Sequence, residues 1–273
     1  MNLLQRAKTV KAKKSLGQNF LVSEGFISQI VDSFNSKTKH IVEIGPGLGF
    51  LTEQLLDRDY LVTAIDLDPI AKKLILPHDN LNIQILDALH FDFNSMKKPF
   101  SVAGNLPFNV GTKILMNIVG ELNELSWRVS EIDEMVLMFQ LEVAKRIAAK
   151  PNSKDYGPLS ITVQAKSEVE FLFDVPANCF YPKPKVNAGV IRIKPQINGS
   201  LNKLNQSELN QLKRIVKQSF MTRRKKLSNC LSGVLKRSDF EALSISPDLR
   251  PENLSLTQFI QLAKYTIADL EPQ

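Results

Sequence analysis

The sequence predicts an α/β fold with a largely parallel sheet, followed by a small all-α domain. Over the first 140 residues, short apolar runs alternate with segments of helical periodicity. The runs are apolar on both faces, as in strands of a parallel sheet that helices cover on both sides. Beyond residue 206 only helical patterns follow. We therefore expect a domain at residues 1–195, a polar linker at 196–206 and a helical domain at 207–273.

The composition is typical of a folded protein with a polyanionic partner. The 273 residues are 43% hydrophobic and 23% charged, enough to build two cores. The net charge of +7 and a pI of about 9.3 favour nucleic acid as a partner. No apolar run is long enough to span a membrane and no secretory signal is evident, so we expect a cytoplasmic protein. Two cysteines and three histidines, widely spaced, predict no metal site.

The predicted elements follow one another along the chain. Strand patterns occupy residues 40–45, 60–66, 82–87, 100–105, 134–140, 168–175 and 189–195, and the last two suit a hairpin at the sheet edge. Helical patterns occupy residues 23–34, with Ser23 as N-cap, and 50–59, 69–77 and 141–150. In the second domain the apolar stripe consists of Leu209, Leu212, Val216 and Phe220, and Ser255 with Gln258 forms a capping box.

A glycine loop joins the first predicted strand to the next helix. In "VEIGPGLG" (42–49), Gly45 and Gly47 permit left-handed backbone and a close approach of a ligand. The spacing is not the G-x-G-x-x-G fingerprint of dinucleotide-binding folds, because Phe50 follows the last glycine. A tight turn without a ligand is the alternative for this loop taken alone.

Two acids end the next two predicted strands. Asp66 lies about 20 residues beyond the first strand, where a carboxylate can bind the hydroxyls of a ribose, and Asp87 ends the strand after it. Helix capping would explain either acid alone. Three neighbouring strand ends of this kind line the crevice in which open α/β sheets bind ligands. They predict a nucleoside-containing cofactor, either NAD or S-adenosylmethionine.

The stretch "VAGNLPFNVGTK" (102–113) ends the fourth strand in an unusual way. An adenine amine is a poor nucleophile because its lone pair is delocalised, and the Asn105 side chain and Leu106 carbonyl could accept its two N–H groups. Pro107 restricts the local backbone, and Phe108 offers a face on which a base can stack. A simple turn that buries Phe108 is the alternative. The position beside the glycine loop and the acids favours methyl transfer to a base amine over NAD chemistry.

Ordered motifs cover almost the whole chain: "KKSLGQNFL" (13–21), "VEIGPGLG" (42–49), "ILDALHFDF" (85–93), "GNLPFNV" (104–110), "QLEVAKRI" (140–147), "PNSKDYGPLS" (151–160), "FYPKPKV" (180–186) and "RPENLS" (250–255). With these motifs the chain resembles the bacterial small-subunit rRNA adenine dimethyltransferases, the kasugamycin-sensitivity family. The resemblance implies a Rossmann-like class I S-adenosylmethionine-dependent methyltransferase fold.

The resemblance also implies particular site residues. S-adenosylmethionine would be bound by Asn19, Leu21, Gly45, Gly47, Asp66, Asp87 and Asn105. The target adenine would stack between Phe108 and Phe180. Members usually carry Tyr where Phe108 stands and often Glu where Asp66 stands. Phe108 thus keeps the stacking face without the hydroxyl, and Asp66 has a shorter reach toward a ribose. The basic segment 1–22 would form a lid over the cofactor, and a disordered basic tail is the alternative.

A basic run in the second domain is the candidate RNA contact. Its members are Lys213, Lys217, Arg223, Arg224, Lys225 and Lys226. Lys213, Lys217 and Arg224 share a face if their helix continues that far. A solvated helix face is the alternative reading, but base-amine chemistry favours phosphate contact. The adenine must be unstacked or single-stranded to enter the pocket.

The resemblance implies dimethylation of two adjacent adenosines near the 3′ end of 16S rRNA in the small ribosomal subunit, with a role in ribosome biogenesis, by a monomer. A near alternative is a large-subunit methylase that confers macrolide resistance. Another is a non-catalytic assembly or organellar transcription factor, which the intact Asn105, Asp66 and Asp87 disfavour. An NAD-dependent dehydrogenase is the weakest alternative.

Overall fold

The computed structural model describes residues 2–129, 131–196, 199–222 and 224–268. The chain divides into two compact units. The first contains Met1–Ile118, Arg128–Lys145 and Val169–Pro195, and the second contains Val119–Trp127, Arg146–Glu168 and Gln196–Gln273. This division differs from a single boundary after residue 195. The reason is that Tyr156 and Ile161 are buried in the same apolar core as Leu209 and Phe259, far along the chain.

Nine strands are present in the described residues: β1 (Phe20–Leu21), β2 (His40–Ile44), β3 (Leu61–Asp66), β4 (Leu81–Ile85), β5 (Phe100–Asn105), β6 (Ile132–Gln140), β7 (Ser167–Val175), β8 (Phe180–Tyr181) and β9 (Ala188–Pro195). Seven of them form one sheet in the order β4-β3-β2-β5-β6-β9-β7, and the other two pair as an antiparallel ribbon. All seven strands predicted from the sequence are therefore confirmed. The two late strands are neighbours at the sheet edge.

Parallel pairing in the centre of the sheet positions the candidate site. β2 lies between β3 and β5 and is parallel to both, while β9 is antiparallel to β6. Ile41 and Val42 of β2 are fully buried, which fits a strand covered on both faces. Because parallel strands end on the same edge, the residues that follow β2, β3, β4 and β5 meet there.

The helices of the described chain are α1 (Leu3–Lys8), α2 (Glu24–Asp32), α3 (Phe50–Leu56), α4 (Ile70–Leu74), α5 (Gly111–Val119), α6 (Leu141–Ala148), α7 (Pro158–Gln164), α8 (Gln206–Met221), α9 (Leu227–Cys230), α10 (Arg237–Ala242) and α11 (Leu256–Ala268). Ser23 occupies the N-cap position of α2, as predicted, but its side chain makes no capping hydrogen bond. None of the helices in these described ranges has both the length and the apolar character that crossing a bilayer requires.

The predicted helical pattern of the second unit is confirmed. The stripe on α8 is buried in one apolar core with Phe240 and Phe259. At the start of α11 the capping box is present, because the Gln258 N–H donates to Ser255 Oγ at 3.3 Å and the Ser255 N–H donates to Gln258 Oε1 at 2.9 Å. Two orphan donors at the helix start are thereby satisfied.

Part of the segment predicted to be a linker belongs to the core of the second unit. Ser200–Lys203 forms a 3₁₀ turn, and Leu201 and Leu204 are buried among the helices that follow. Residues 197 and 198 lie outside the described residues. The polar composition of the segment concealed two apolar anchors, because a pair of leucines without periodicity gives no helical or strand signal.

We expect Leu201→Ala to destabilise the second unit by roughly 2–5 kcal/mol, because it leaves a cavity in a packed core. Hydrogen exchange of the α8 amides measures this change. Lys203→Ala, an exposed position in the same 3₁₀ turn, is the matched control and should change the exchange free energy by no more than about 0.5 kcal/mol. Equal exchange in the two variants would show that the segment is a linker after all.

Candidate active site

A pocket of about 230 Å³ lies at the carboxyl edge of the sheet in the first unit. Its walls come mainly from three segments, residues 15–21, 43–51 and 105–110, together with Asp66 and Asp87. The segments belong to the N-terminal motif, the glycine loop and the turn after β5. Sequence motifs that are far apart along the chain therefore surround one cavity.

The glycine loop has the backbone that its sequence predicts. Gly45 and Gly47 have φ values of +72° and +57°, a region that other residues rarely adopt. A Cβ at Gly47 would lie 3.1 Å from the Phe20 ring. A Cβ at Gly45 would lie in ordinary van der Waals contact with Asn105 O and the Pro107 ring, at 3.8–3.9 Å, so the loop lies directly against the turn after β5.

Asp66 ends β3, lines the pocket and holds the glycine loop. Its Oδ2 accepts a hydrogen bond from the Gly47 N–H at 3.1 Å, and its Oδ1 accepts one from the Asp68 N–H at 2.8 Å. Burial raises the pKa of Asp66 above its ordinary value, and the backbone N–H groups oppose that rise. Each carboxylate oxygen still has a lone pair to offer a ligand.

Asp87 lies beyond the end of β4 on the same pocket wall. Its Oδ1 accepts a hydrogen bond from the Leu89 N–H at 2.9 Å, which fixes the side chain. The side chain remains 38% exposed, so its carboxylate can still accept hydrogen bonds from a ligand. Asp66 and Asp87 thus both line the pocket with oxygens that can accept hydrogen bonds from a ligand.

Glu43 is a pocket residue that the sequence reasoning missed. It is only 1% exposed near the end of β2, lines the pocket and accepts a hydrogen bond from Thr52 Oγ1 at 2.6 Å. Burial raises its pKa to about 8; the Thr52 bond opposes this rise and the charge of Asp66 adds to it. The available signal was an acid within an apolar strand directly before the glycine loop.

The turn after β5 presents oxygen acceptors to the pocket. Asn105 Nδ2 donates to the Asn19 carbonyl at 2.9 Å. Because a carbonyl oxygen can only accept, this bond fixes which end of the amide faces Asn19 and leaves Oδ1 able to accept a hydrogen bond. The Leu106 side chain is buried and its N–H donates to the Met138 carbonyl at 3.2 Å. Within the described chain, the Leu106 carbonyl itself accepts no hydrogen bond.

The two predicted stacking aromatics lie in different surroundings. Phe108 is half-buried on the pocket wall. Phe180 is 3% exposed and lies in the apolar cluster with Phe20 and Leu21, where β8 pairs with β1. The remaining predicted residues line the one pocket: Asn19, Leu21, Gly45, Gly47, Asp66, Asp87, Asn105, Leu106 and Pro107.

The predicted RNA-binding residues of the second unit do not share one continuous helix face. α8 ends at Met221, so Lys213 and Lys217 lie on the helix and Arg224 lies beyond it. Lys213 Nζ is 3.4 Å from Glu121. Of the other candidates, Lys226 forms an ion pair with Asp248. Three more are exposed: Lys217, Arg224 and Lys225. Arg223 lies outside the described residues.

Solved structures with the same architecture identify the fold class. The chain is similar to the crystal structure of the 23S rRNA methyltransferase ErmE, with a TM-score of 0.70 and 23% identity over 91% of this chain and 100% of that one. It is similar to a dimethyladenosine transferase from Plasmodium falciparum, with a TM-score of 0.71 and 23% identity over 88% of this chain and 94% of that one. The fold is therefore the Rossmann-like class I methyltransferase fold.

Sequence comparison then identifies the family. The family model of the ribosomal RNA adenine dimethylases matches residues 9–268. The chain is 37% identical to the ribosomal RNA small subunit methyltransferase A of Hahella chejuensis over 93% of each chain. It is 38% identical to the protein of that name from Dechloromonas aromatica, over 93% of this chain and 97% of the relative. The chain belongs to the ribosomal RNA adenine dimethylase family.

We expect Glu43→Gln to change the pH dependence of stability. Between pH 4.5 and about 8 the unfolded chain ionises Glu43 while the native state keeps its proton, so the unfolded state binds fewer protons. Wild-type stability should therefore fall as pH rises through this window, by about 1 kcal/mol per pH unit from this group, and glutamine should remove that component. Urea unfolding from pH 5 to 8 measures it. Glu24→Gln, on an exposed position of α2, is the control, and parallel wild-type and Glu43→Gln profiles would contradict the assignment.

Proposed function

We propose that the protein uses S-adenosylmethionine to dimethylate the exocyclic amines of two adjacent adenosines near the 3′ end of 16S rRNA in the small ribosomal subunit. The observation that carries the proposal is the orientation of Asn105, whose amide nitrogen faces Asn19 and whose oxygen is left for a substrate N–H. Membership of the ribosomal RNA adenine dimethylase family supports it independently.

The residues present fit the proposed cofactor. Gly45 and Gly47 line the pocket without side chains, so a ligand can approach their backbone closely, and Asp66 and Asp87 offer oxygens to its hydroxyl and amine groups. Asn19 and Leu21 would cover the ligand from the N-terminal side. When bound, S-adenosylmethionine supplies a methyl group on a sulfonium centre, which is already activated toward a nucleophile.

The chain's own task is then to hold and activate the amine. Asn105 Oδ1 and the Leu106 carbonyl accept its two N–H groups, which favours a more tetrahedral nitrogen and returns lone-pair density to it. Pro107 keeps the Leu106 carbonyl in place through the restricted backbone before a proline. Phe108 offers a ring for the base to stack on, and Phe180 is the second candidate ring, although it is buried here.

RNA of the small subunit is the substrate that the relatives favour. The curated relatives that cover 93% of the chain are named for the small subunit, whereas the 23S rRNA methyltransferase shares the fold at 23% identity. The exposed cations Lys217, Arg224 and Lys225 of the second unit would contact phosphates. We further propose that the enzyme acts as a monomer in the cytoplasm, where ribosomes are assembled.

We expect Asn105→Ala to lose methyl transfer to small subunits by at least ~100-fold at saturating S-adenosylmethionine, since it removes an acceptor for the reacting amine. Its affinity for the cofactor should fall far less, because the other predicted cofactor residues remain. Calorimetry measures the binding, and transfer of labelled methyl groups measures turnover at saturating cofactor. Undiminished turnover would refute the role of Asn105. Loss of both cofactor binding and the folded state would make the residue structural instead.

We expect the double change Lys217→Ala, Arg224→Ala to weaken small-subunit RNA binding and to reduce the slope of log affinity against log salt by about 1–2, because two phosphate contacts are lost. Filter binding across a salt series measures the slope. Lys264→Ala removes a lysine of the same unit that is paired with Glu208 and should leave the slope unchanged. An unaltered slope in the double variant would show that Lys217 and Arg224 are solvated surface residues that do not contact phosphates.

A further inference from the structure

A buried carboxylate, that of Asp68, holds the N-terminal motif beside the pocket. Asp68 lies in the turn between β3 and α4, and its side chain is 2% exposed. Lys13 Nζ is 2.8 Å from Asp68 Oδ1, and Gln18 Nε2 donates to Asp68 Oδ2 at 2.9 Å. The Ile70 N–H also donates to this carboxylate, at 3.1 Å. One buried carboxylate thus joins two residues that are 55 and 50 positions away from it in the chain.

We call the segment held in this way, residues 13–19, the N-terminal strap. Gln18 closes it internally, because its Oε1 accepts the Lys13 N–H at 2.8 Å. Gly17 has a φ of +65°, and a Cβ there would lie 2.8 Å from Asn109 Oδ1, so the strap packs directly on the turn after β5. At its end the Asn19 carbonyl accepts the Asn105 amide.

We propose that Asp68 is a positioning residue, which holds the N-terminal strap so that the Asn19 carbonyl orients Asn105 for methyl transfer. The inference rests on the function proposed above. Asp68 acts at two ends of the site, since its own N–H donates to the cofactor-side acid Asp66. One turn therefore fixes both the glycine-loop acid and the strap that aims the catalytic amide.

The electrostatics suit such a latch. Burial alone would raise the pKa of Asp68, but the hydrogen bonds from Lys13, Ile70 and Gln18 lower it below the ordinary value. The carboxylate is thus ionised at neutral pH, and its bonds are charge-assisted. Among the described residues, Lys13 is the one cation paired with Asp68. The electrostatic attraction that holds the strap therefore comes from this pair.

The test compares Asp68→Asn, Lys13→Ala and Lys13→Arg with wild type. We expect Asp68→Asn to lower kcat for methylation of small subunits by about 10- to 100-fold at saturating S-adenosylmethionine, because a small misplacement of a reacting group is costly. Lys13→Ala, at a half-exposed position that does not endanger folding, should lower kcat in the same direction, and Lys13→Arg should restore it. The double variant Asp68→Asn, Lys13→Ala should have a kcat no lower than that of Asp68→Asn alone, because both changes break the same contact between Lys13 and Asp68.

A second readout follows the strap itself. Trypsin should cleave after Lys11, Lys13 or Lys14 faster in Asp68→Asn than in wild type. The melting temperature of the rest of the chain should be the same in both proteins. Asp32→Asn, which removes an exposed ion pair with Arg58 in the same unit, is the matched control and should alter neither kcat nor cleavage.

Three results would overturn the proposal: unchanged cleavage in Asp68→Asn, an unchanged kcat, or a loss confined to cofactor affinity with kcat intact at saturation. The last result would make the strap a cofactor contact only. Failure of the wild type to methylate any ribosomal RNA would instead refute the proposed function, and the cleavage comparison would still decide whether Asp68 holds the strap.

Discussion

The hydrogen bond from the Asn105 amide to the Asn19 carbonyl decides which atom of Asn105 faces the pocket. An amide can present either a donor or an acceptor, and the two presentations have opposite chemistry toward an amine. Because the Asn19 carbonyl can only accept, the Asn105 nitrogen donates to it, and the Asn105 oxygen remains able to accept a hydrogen bond from a substrate amine. The rest of the first unit positions the Asn105 amide and the Asn19 carbonyl. Asn105 ends a buried central strand, and Asn19 directly precedes β1.

The parallel sheet places several acidic side chains at one edge of an apolar layer, because neighbouring parallel strands end on the same side. Glu43, Asp66 and Asp68 all lie on or just beyond two neighbouring strands, and their environments differ sharply. Burial raises the pKa of Glu43 and Asp66, whereas hydrogen-bond donors lower that of Asp68. One sheet edge therefore holds a neutral acid, a carboxylate bonded to the glycine loop and a carboxylate that fastens the N-terminal strap.

Much of this arrangement could be predicted from the sequence, and the omissions have physical reasons. The strands were predictable because burial on both faces leaves continuous apolar runs, and Asn105 stood out because a proline and an aromatic follow it. Glu43 was missed because a single acid does not interrupt an apolar pattern. The role of Asp68 was missed because its partner Lys13 is 55 residues away, a pairing that no local pattern encodes. Likewise, the burial of Leu201 and of Phe180 depends on tertiary packing.

We propose above that this pocket transfers methyl groups to adenine amines of small-subunit RNA. The most direct measurement incubates the wild-type protein and labelled S-adenosylmethionine with small and large ribosomal subunits that lack the modification, in separate reactions, and identifies the product by nucleoside mass spectrometry. We expect dimethyladenosine in the small-subunit RNA and none in the large-subunit RNA. Label in the large subunit alone, or in neither although the cofactor is bound, would contradict it.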